Sequence, residues 1–271
     1  MELPLYQIDA FANAAFRGNP AAVCPLERWL PDETMQDIAA ENNLAETAFY
    51  VRKGDRYGLR WFTPTVEVDL CGHATLATAS VILEIRREIA GPKVVFESRS
   101  GELAVERDGE LYALDFPARP PAPLKTERLV PGIEAALGET PSQMLGVQGA
   151  TDCVCVFETQ DQVQALRPAM ERLAAIDCFA FVATAPGVDC DFVSRFFAPA
   201  QGIPEDPVTG RAHTTLIPYW SRRLGKNQMF ARQISRRGGE LWCEDRGSRV
   251  RIAGRAIRYL EGMIEVPVTD S

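Results

Sequence analysis

The stretches Arg60-Trp61-Phe62-Thr63-Pro64 and Arg195-Phe196-Phe197-Ala198-Pro199 decide the architecture of this chain. They lie 135 residues apart, and Met35, Ile38, Ala39 and Ala40 overlay Met170, Leu173, Ala174 and Ala175 at the same spacing. One match of aromatics and proline could arise from strand composition alone, but two in one register point to a duplicated unit. Each copy reads alike. Asp32 can cap a helix to about Asn43, with Met35, Ile38, Ala39 and Asn42 on one face. Extended, aromatic-rich runs follow over 44–51 and 57–63, then a loop to Gly72 and an apolar helix from Ala74 to about Arg87. That helix carries no charge from Ala74 to Leu83, so sheet should surround it. The second copy predicts a helix over 168–176, strands over 179–183 and 192–197, a loop through Pro207 and a helix from Gly210 to Leu224. Strand-rich segments over 94–114 and 233–250 close the two halves.

Four prolines between Phe116 and Pro123 make a stiff connector, and the main boundary is placed there. The expected fold class is α+β: two pseudo-symmetric domains, each a curved, mostly antiparallel, barrel-like sheet around a central helix. The domains are read as 1–117 and 118–261, with a strand over 262–271 that can return to the first.

Composition narrows the function. The 271 residues are 46% hydrophobic and 24% charged, enough to bury a sizeable core. A formal charge of -8 has the wrong sign for a nucleic-acid partner. The uncharged run Leu70–Leu83 is shorter than the roughly 20 apolar residues of a membrane helix. The N-terminal Met-Glu-Leu-Pro-Leu does not read as a secretory signal. Seven cysteines without a C-x-x-C pair fit a reducing compartment, so a cytoplasmic protein is expected. With two histidines in the chain, a three-histidine site is excluded. Asp69, Cys71 and His73 alternate but lack a fourth ligand at plausible spacing, so no metal is expected. Neither a G-x-G-x-x-G nor a P-loop string occurs, and no nucleotide cofactor is expected.

Chemistry should sit where the two central helices begin, because unpaired backbone N–H groups and the helix dipole favour a bound carboxylate or phosphate. These starts are Cys71-Gly72-His73-Ala74-Thr75 and Asp206-Pro207-Val208-Thr209-Gly210-Arg211-Ala212-His213. They hold both histidines of the chain, and the paired placement reads as functional. Glu46 is the only charged residue of the run Leu44–Val51, on one face with Ala48 and Tyr50, and the position 135 residues later is Phe181. A carboxylate where the other half has a core residue should have a raised pKa, the setting a general base needs.

Phe16-Arg17-Gly18-Asn19-Pro20-Ala21, Ala45-Glu46-Thr47-Ala48-Phe49, Phe62-Thr63-Pro64 with Cys71-Gly72-His73-Ala74-Thr75, and Glu205-Asp206-Pro207-Val208-Thr209-Gly210 resemble the signature blocks of the PhzF-like, phenazine-biosynthesis isomerase family. The resemblance runs from Tyr6 to about Gly262. It implies the diaminopimelate epimerase-type fold, with the active site in a cleft between two barrels. It also implies catalytic roles for Glu46, His73 and Asp206, and a substrate held by Asn19, Gly72, Ala74, Thr209, Gly210 and Arg211. One departure is Arg211, where a small hydroxyl residue is common in the family. A cation there either points to solvent or holds an anion that the dipole also attracts. Diaminopimelate epimerase and proline racemase resemble the layout but place a thiol in each half; here Cys71 matches the first and Asp206 stands for the second, which disfavours a two-thiol racemase.

The expected activity is a cofactor-independent isomerase of a small carboxylate-bearing substrate, working by Glu general acid/base catalysis, as a homodimer. An epimerase or racemase with a different base pair, or a catalytically silent binding protein of the same fold, are the alternatives.

Overall fold

The computed structural model describes residues 1–124 and 130–267 and runs through one plan twice. The first copy comprises β1 (Glu2–Ala10), β2 (Asn19–Leu26), α1 (Asp32–Asn42), β3 (Glu46–Lys53), β4 (Arg56–Phe62), β5 (Glu67–Val68), α2 (Gly72–Ser80), β6 (Lys93–Ser98), β7 (Gly101–Asp108) and β8 (Leu111–Pro117). The second comprises β9 (Pro121–Pro123), α3 (Val130–Leu137), β10 (Gln143–Val147), β11 (Asp152–Val156), α4 (Gln160–Ala165), α5 (Met170–Ala174), β12 (Ala180–Pro186), β13 (Phe192–Ala198), β14 (Ile203–Asp206), α6 (Gly210–Leu224), β15 (Gln228–Gln233), β16 (Gly239–Asp245) and β17 (Arg249–Gly254). A last strand, β18 (Ala256–Glu265), follows.

Strand pairing repeats as closely as element order. In the first copy β1–β2 is antiparallel, β2–β3 parallel and β3–β4 antiparallel; β4 takes β5 antiparallel and β6 parallel, and β6–β7 is antiparallel. The series β10 to β16 shows the same six relations in the same order. Tyr57 faces Phe96 as Phe192 faces Ala231, both pairs 135 residues on. The spacing is not constant, however. Phe62 pairs with Thr47 while Phe197 pairs with Phe181, so Phe181 is the counterpart of Thr47, and Ala180 that of Glu46. The position opposite Glu46 is therefore a buried alanine and not the expected phenylalanine.

The chain divides into two compact units, Met1–Asp115 with the residues from Ala253 onward, and Phe116–Ile252. The return to the first unit comes earlier than residue 262, because β18 pairs along the whole of β1, from Ala10↔Ala256 to Glu2↔Glu265. Residues 268–271 of the expected strand lie outside the described residues. No helix among the described residues is long and apolar enough to cross a membrane.

α2 is buried from His73 to Ser80 and touches β1, β2, β3, β7 and β18. Three hydroxyls are tolerated in it because each donates back into its own helix: Thr75 Oγ1 to the Cys71 carbonyl at 2.6 Å, Thr78 Oγ1 to Ala74 at 2.7 Å and Ser80 Oγ to Ala77 at 2.7 Å. The helix passes into a π-helical turn over Val81–Ile85.

On the other face of the first sheet, α1 packs Met35, Ile38 and Ala39 against Phe49 and Phe62. The second unit meets the same need with two shorter helices. α4 contacts β12 and β13 as α1 contacts β3 and β4, and α5 follows. Pro168 lies between them, and the residue before a proline is pushed out of the helical region. Thr159 and Gln162 close a capping box at the start of α4.

The repeated Arg60 and Arg195 each grip a glutamate two-pronged. Arg60 Nε and Nη2 donate to Glu67 at 2.7 and 2.8 Å, and Arg195 Nε and Nη2 donate to Glu205 at 2.7 and 3.0 Å. Each guanidinium also lies over the phenylalanine two residues on, at 5.2 Å for Phe62 and 4.9 Å for Phe197. The duplicated motif thus ties β4 to β5, and β13 to β14, immediately before each central helix.

Candidate active site

In the first unit three of the expected residues meet. Glu46 opens β3 beside Ala21 of β2, His73 is the second residue of α2, and Asn19 opens β2. His73 Nε2 lies 3.1 Å from Glu46 Oε2. The other ring nitrogen, Nδ1, lies 3.3 Å from Asn19 Nδ2 and 3.4 Å from Cys71 Sγ. Glu46 Oε2 and His73 Nε2 are both buried and face each other in this ion pair. Asn19 is held by the turn before it. Asp9 accepts the Phe16 N–H at 2.9 Å, and Gly18 has φ +65°, where a Cβ would lie 2.2 Å from the Ala10 carbonyl oxygen.

Burial alone would raise the Glu46 carboxyl, but the His73 charge and hydrogen bonds from His73 and Cys71 outweigh it and hold the pKa below its ordinary value. This corrects the expectation of a raised pKa: the partner, not the apolar setting, decides. Burial opposes a charge on His73, yet Cys71 and Glu46 raise its pKa well above the ordinary value. Burial, then the Glu46 charge, push the Cys71 thiol up to about 11, so at neutral pH it is a protonated neighbour and not a nucleophile.

The pair has a defined pH signature. Glu46, with its lowered pKa, stabilises the fold fully above the ordinary carboxyl value of 4.5 and loses that contribution as pH falls through its folded pKa. His73, with its raised pKa, stabilises fully below the ordinary imidazole value of 6.5 and loses that contribution as pH rises through its folded pKa. The melting temperature of the wild type minus that of Glu46→Gln is therefore expected to peak between about pH 4.5 and 6.5. A difference that stays flat from acid to alkaline pH would remove the charged pair.

Gly72 and Ala74 flank His73 at the start of α2 in the first unit, and Asp206, Thr209, Gly210 and Arg211 belong to the second unit. Asp206 ends β14, Thr209 is the cap of α6, and Gly210 and Arg211 open that helix. Thr209 Oγ1 turns away from the helix and donates to Asp206 Oδ2 at 2.5 Å. Gln233, at the end of β15, fastens this loop: its Oε1 accepts the Thr209 N–H at 2.9 Å, and its Nε2 donates to the Asp206 carbonyl at 2.7 Å. Gln233→Leu strands the buried Thr209 N–H and removes a donor from the part-buried Asp206 carbonyl, so a loss of about 1–3 kcal/mol in denaturant unfolding is expected. A loss below half a kilocalorie would show the loop holds itself.

Two readings need correction here. His213 is structural: its Nδ1–H donates to the Thr209 carbonyl at 2.8 Å, and burial pushes its pKa down to about 4, leaving it neutral. Arg211 is partly exposed and is paired within the protein. It forks Asp152, with Nε at 3.2 Å from Oδ2 and Nη2 at 2.9 Å from Oδ2 and 3.1 Å from Oδ1, and it lies 4.3 Å over the Phe179 ring. The residue that stands before the helix glycine, as Cys71 does, is Thr209 rather than Asp206.

The family model for phenazine biosynthesis-like proteins (PhzC-PhzF) matches residues 8–262. The chain belongs to the phenazine biosynthesis-like family. An uncharacterized isomerase of Pseudomonas aeruginosa is 50% identical over 267 residues, covering 98% of this chain and 100% of that one. The crystal structure of a PhzF-family phenazine biosynthesis protein from Enterococcus faecalis matches with a TM-score of 0.94 at 45% identity, over 98% of this chain and 100% of that one. A probable proline racemase from Agrobacterium radiobacter, at 12% identity and a TM-score of 0.59 over 98% and 93% of the two chains, shares the fold alone.

Within this phenazine biosynthesis-like chain, Glu46, Cys71 and His73 are also a group of potential metal ligands, with ligand atoms within 4.8 Å of one another. The His73 ring presents Nε2 to Glu46 and Nδ1 to Cys71, so no single nitrogen faces both neighbours. Three groups so arranged fall short of the four converging ligands of a structural zinc site.

Proposed function

We propose that the protein is a cofactor-independent isomerase that moves a proton on a small carboxylate-bearing substrate. The observation that carries this reading is the buried contact of 3.1 Å between Glu46 and His73. Glu46, ionised at neutral pH, takes a proton from a carbon made acidic by a neighbouring carbonyl, carboxylate or double bond. His73, positively charged beside it, holds the carboxylate ionised and in place before the transfer. Backbone N–H groups at Gly72, His73 and Ala74 face the charge that develops on the substrate. The proton returns from Glu46 at another carbon, so the product is an isomer and no net proton is gained or lost.

The relatives support the same class, since the Pseudomonas aeruginosa protein is itself called an isomerase. The test is a panel of small unsaturated and carbonyl-bearing carboxylates incubated with the protein in deuterated water and followed by NMR. Exchange or positional isomerisation of at least one member is expected. Binding of a panel member with neither exchange nor conversion would favour the catalytically silent reading.

A further inference from the structure

The second unit contains a cluster of charge that the proton-transfer chemistry does not use. Asp152, the first residue of β11, is 5% exposed and is approached by two arginines. Arg211 forks it as described, and Arg119 Nη2 donates to Asp152 Oδ2 at 3.4 Å. Arg119 is fixed to α6 as well, its backbone N–H donating to the Thr214 carbonyl at 2.9 Å. Two guanidinium charges thus share one carboxylate, which leaves an excess of one positive charge. Burial, then the like charge of Arg211, lower the pKa of Arg119, as expected of a cation whose neighbour is not fully neutralised.

Donors remain to be filled. Each guanidinium has five N–H bonds. Among the described residues, Arg211 Nη1 and Arg119 Nε and Nη1 have no partner. Both side chains reach solvent, at 27% exposure for Arg119 and 41% for Arg211.

The position of the cluster follows from the repeat. Gly72 opens α2 as Gly210 opens α6, so Arg211 is the counterpart of His73. Ala21 pairs with Glu46 as Asp152 pairs with Ala180, so Asp152 stands at the place of Ala21, two residues along the strand from the Asn19 that meets His73. The corner that holds acid–base groups in the first unit holds a cation pair in the second.

We propose that Arg119 and Arg211 form a carboxylate-binding site, with Asp152 as an internal counter-charge that orients both guanidinium groups and weakens their grip enough for release. The planar forks suit a carboxylate held by two parallel hydrogen bonds. The claim concerns binding to the second unit and does not rest on the isomerase reading.

The experiment titrates the full-length protein with acetate and follows the arginine side-chain Nε–H signals by NMR, assigned with Arg119→Lys and Arg211→Lys. Saturable shifts at Arg119 and Arg211 are expected. Asp152→Asn removes the competing carboxylate and should tighten acetate about tenfold; Arg119→Gln should weaken it about tenfold, the worth of one charge-assisted hydrogen bond. Arg119→Gln leaves Asp152 paired with Arg211, so it remains informative if Asp152→Asn fails to fold. Shifts that grow linearly without saturation, or an affinity unmoved by Arg119→Gln, would overturn the site. Because the readout needs no turnover, it can fail while solvent exchange persists, and the converse holds too.

Discussion

Glu46→Gln is expected to slow deuterium exchange of a bound substrate by about 10² to 10⁴, the usual contribution of a positioned general base. Glutamine keeps the size of the side chain and an oxygen toward His73, but it cannot take a proton. The loss should therefore fall on the exchange rate at saturating substrate, with affinity changed much less. The lowered pKa of Glu46 sharpens the expectation. A base already ionised by its partner is ready across neutral pH, so the rate should not rise with pH through that range as it would if an ordinary histidine had to lose a proton first. Undiminished exchange in the glutamine variant would move the base elsewhere, with Asp206 the first suspect. The Cys71 thiol is a weaker candidate, since burial holds it protonated at neutral pH.

The largest expected effect on stability lies far from this chemistry. Arg195→Ala should cost about 3–5 kcal/mol, the range for breaking one side of a buried ion pair. The side chain is only 11% exposed, and besides Glu205 it serves the Val163 and Leu166 carbonyls at 3.2 and 2.9 Å. In the alanine variant Glu205 and the Val163 carbonyl lose the Arg195 donor, while the Leu166 carbonyl keeps Arg167 Nη1 at 2.8 Å. The equivalent Arg60→Ala should cost less, about 1–3 kcal/mol, because Arg99 Nη2 stays 2.7 Å from Glu67 and keeps that carboxylate partnered. Chemical denaturation of the two variants side by side tests the asymmetry. Equal losses would show that the second ion pair of Glu67 contributes nothing.

These two arginines also show how far sequence reasoning reaches. Both were visible because they sit at one spacing on strands that keep register, Tyr57 with Phe96 and Phe192 with Ala231. Their glutamates were not, because Glu67 follows Arg60 by seven residues and Glu205 follows Arg195 by ten. A loop that lengthens by three residues erases a constant spacing while the contact survives. The same slippage misplaced the counterpart of Glu46 at Phe181.

Glu46, Cys71 and His73 could be picked from short runs, since each lies next to an element boundary that the pattern reveals, whereas Asn19 came from the family resemblance alone. The fastening of the Asp206 loop could not, for Gln233 reaches Asp206 across 27 residues of chain and Arg211 reaches Asp152 across 59. His213 misled because placement near a helix start does not reveal whether the ring faces a site or, as here, donates to the carbonyl one turn back.

The pairing of β18 with β1 has a bearing on how the molecule is made. Residues Phe116–Ile252 are contiguous, so on the ribosome every strand of that unit emerges before the chain returns to its start. The first unit is in the opposite position: it must keep the edge of β1 uncovered while more than half of the chain is synthesised, and it closes only when β18 arrives. The order of assembly is thus reversed with respect to the order of translation, and the half that carries Glu46 and His73 is the last to become competent.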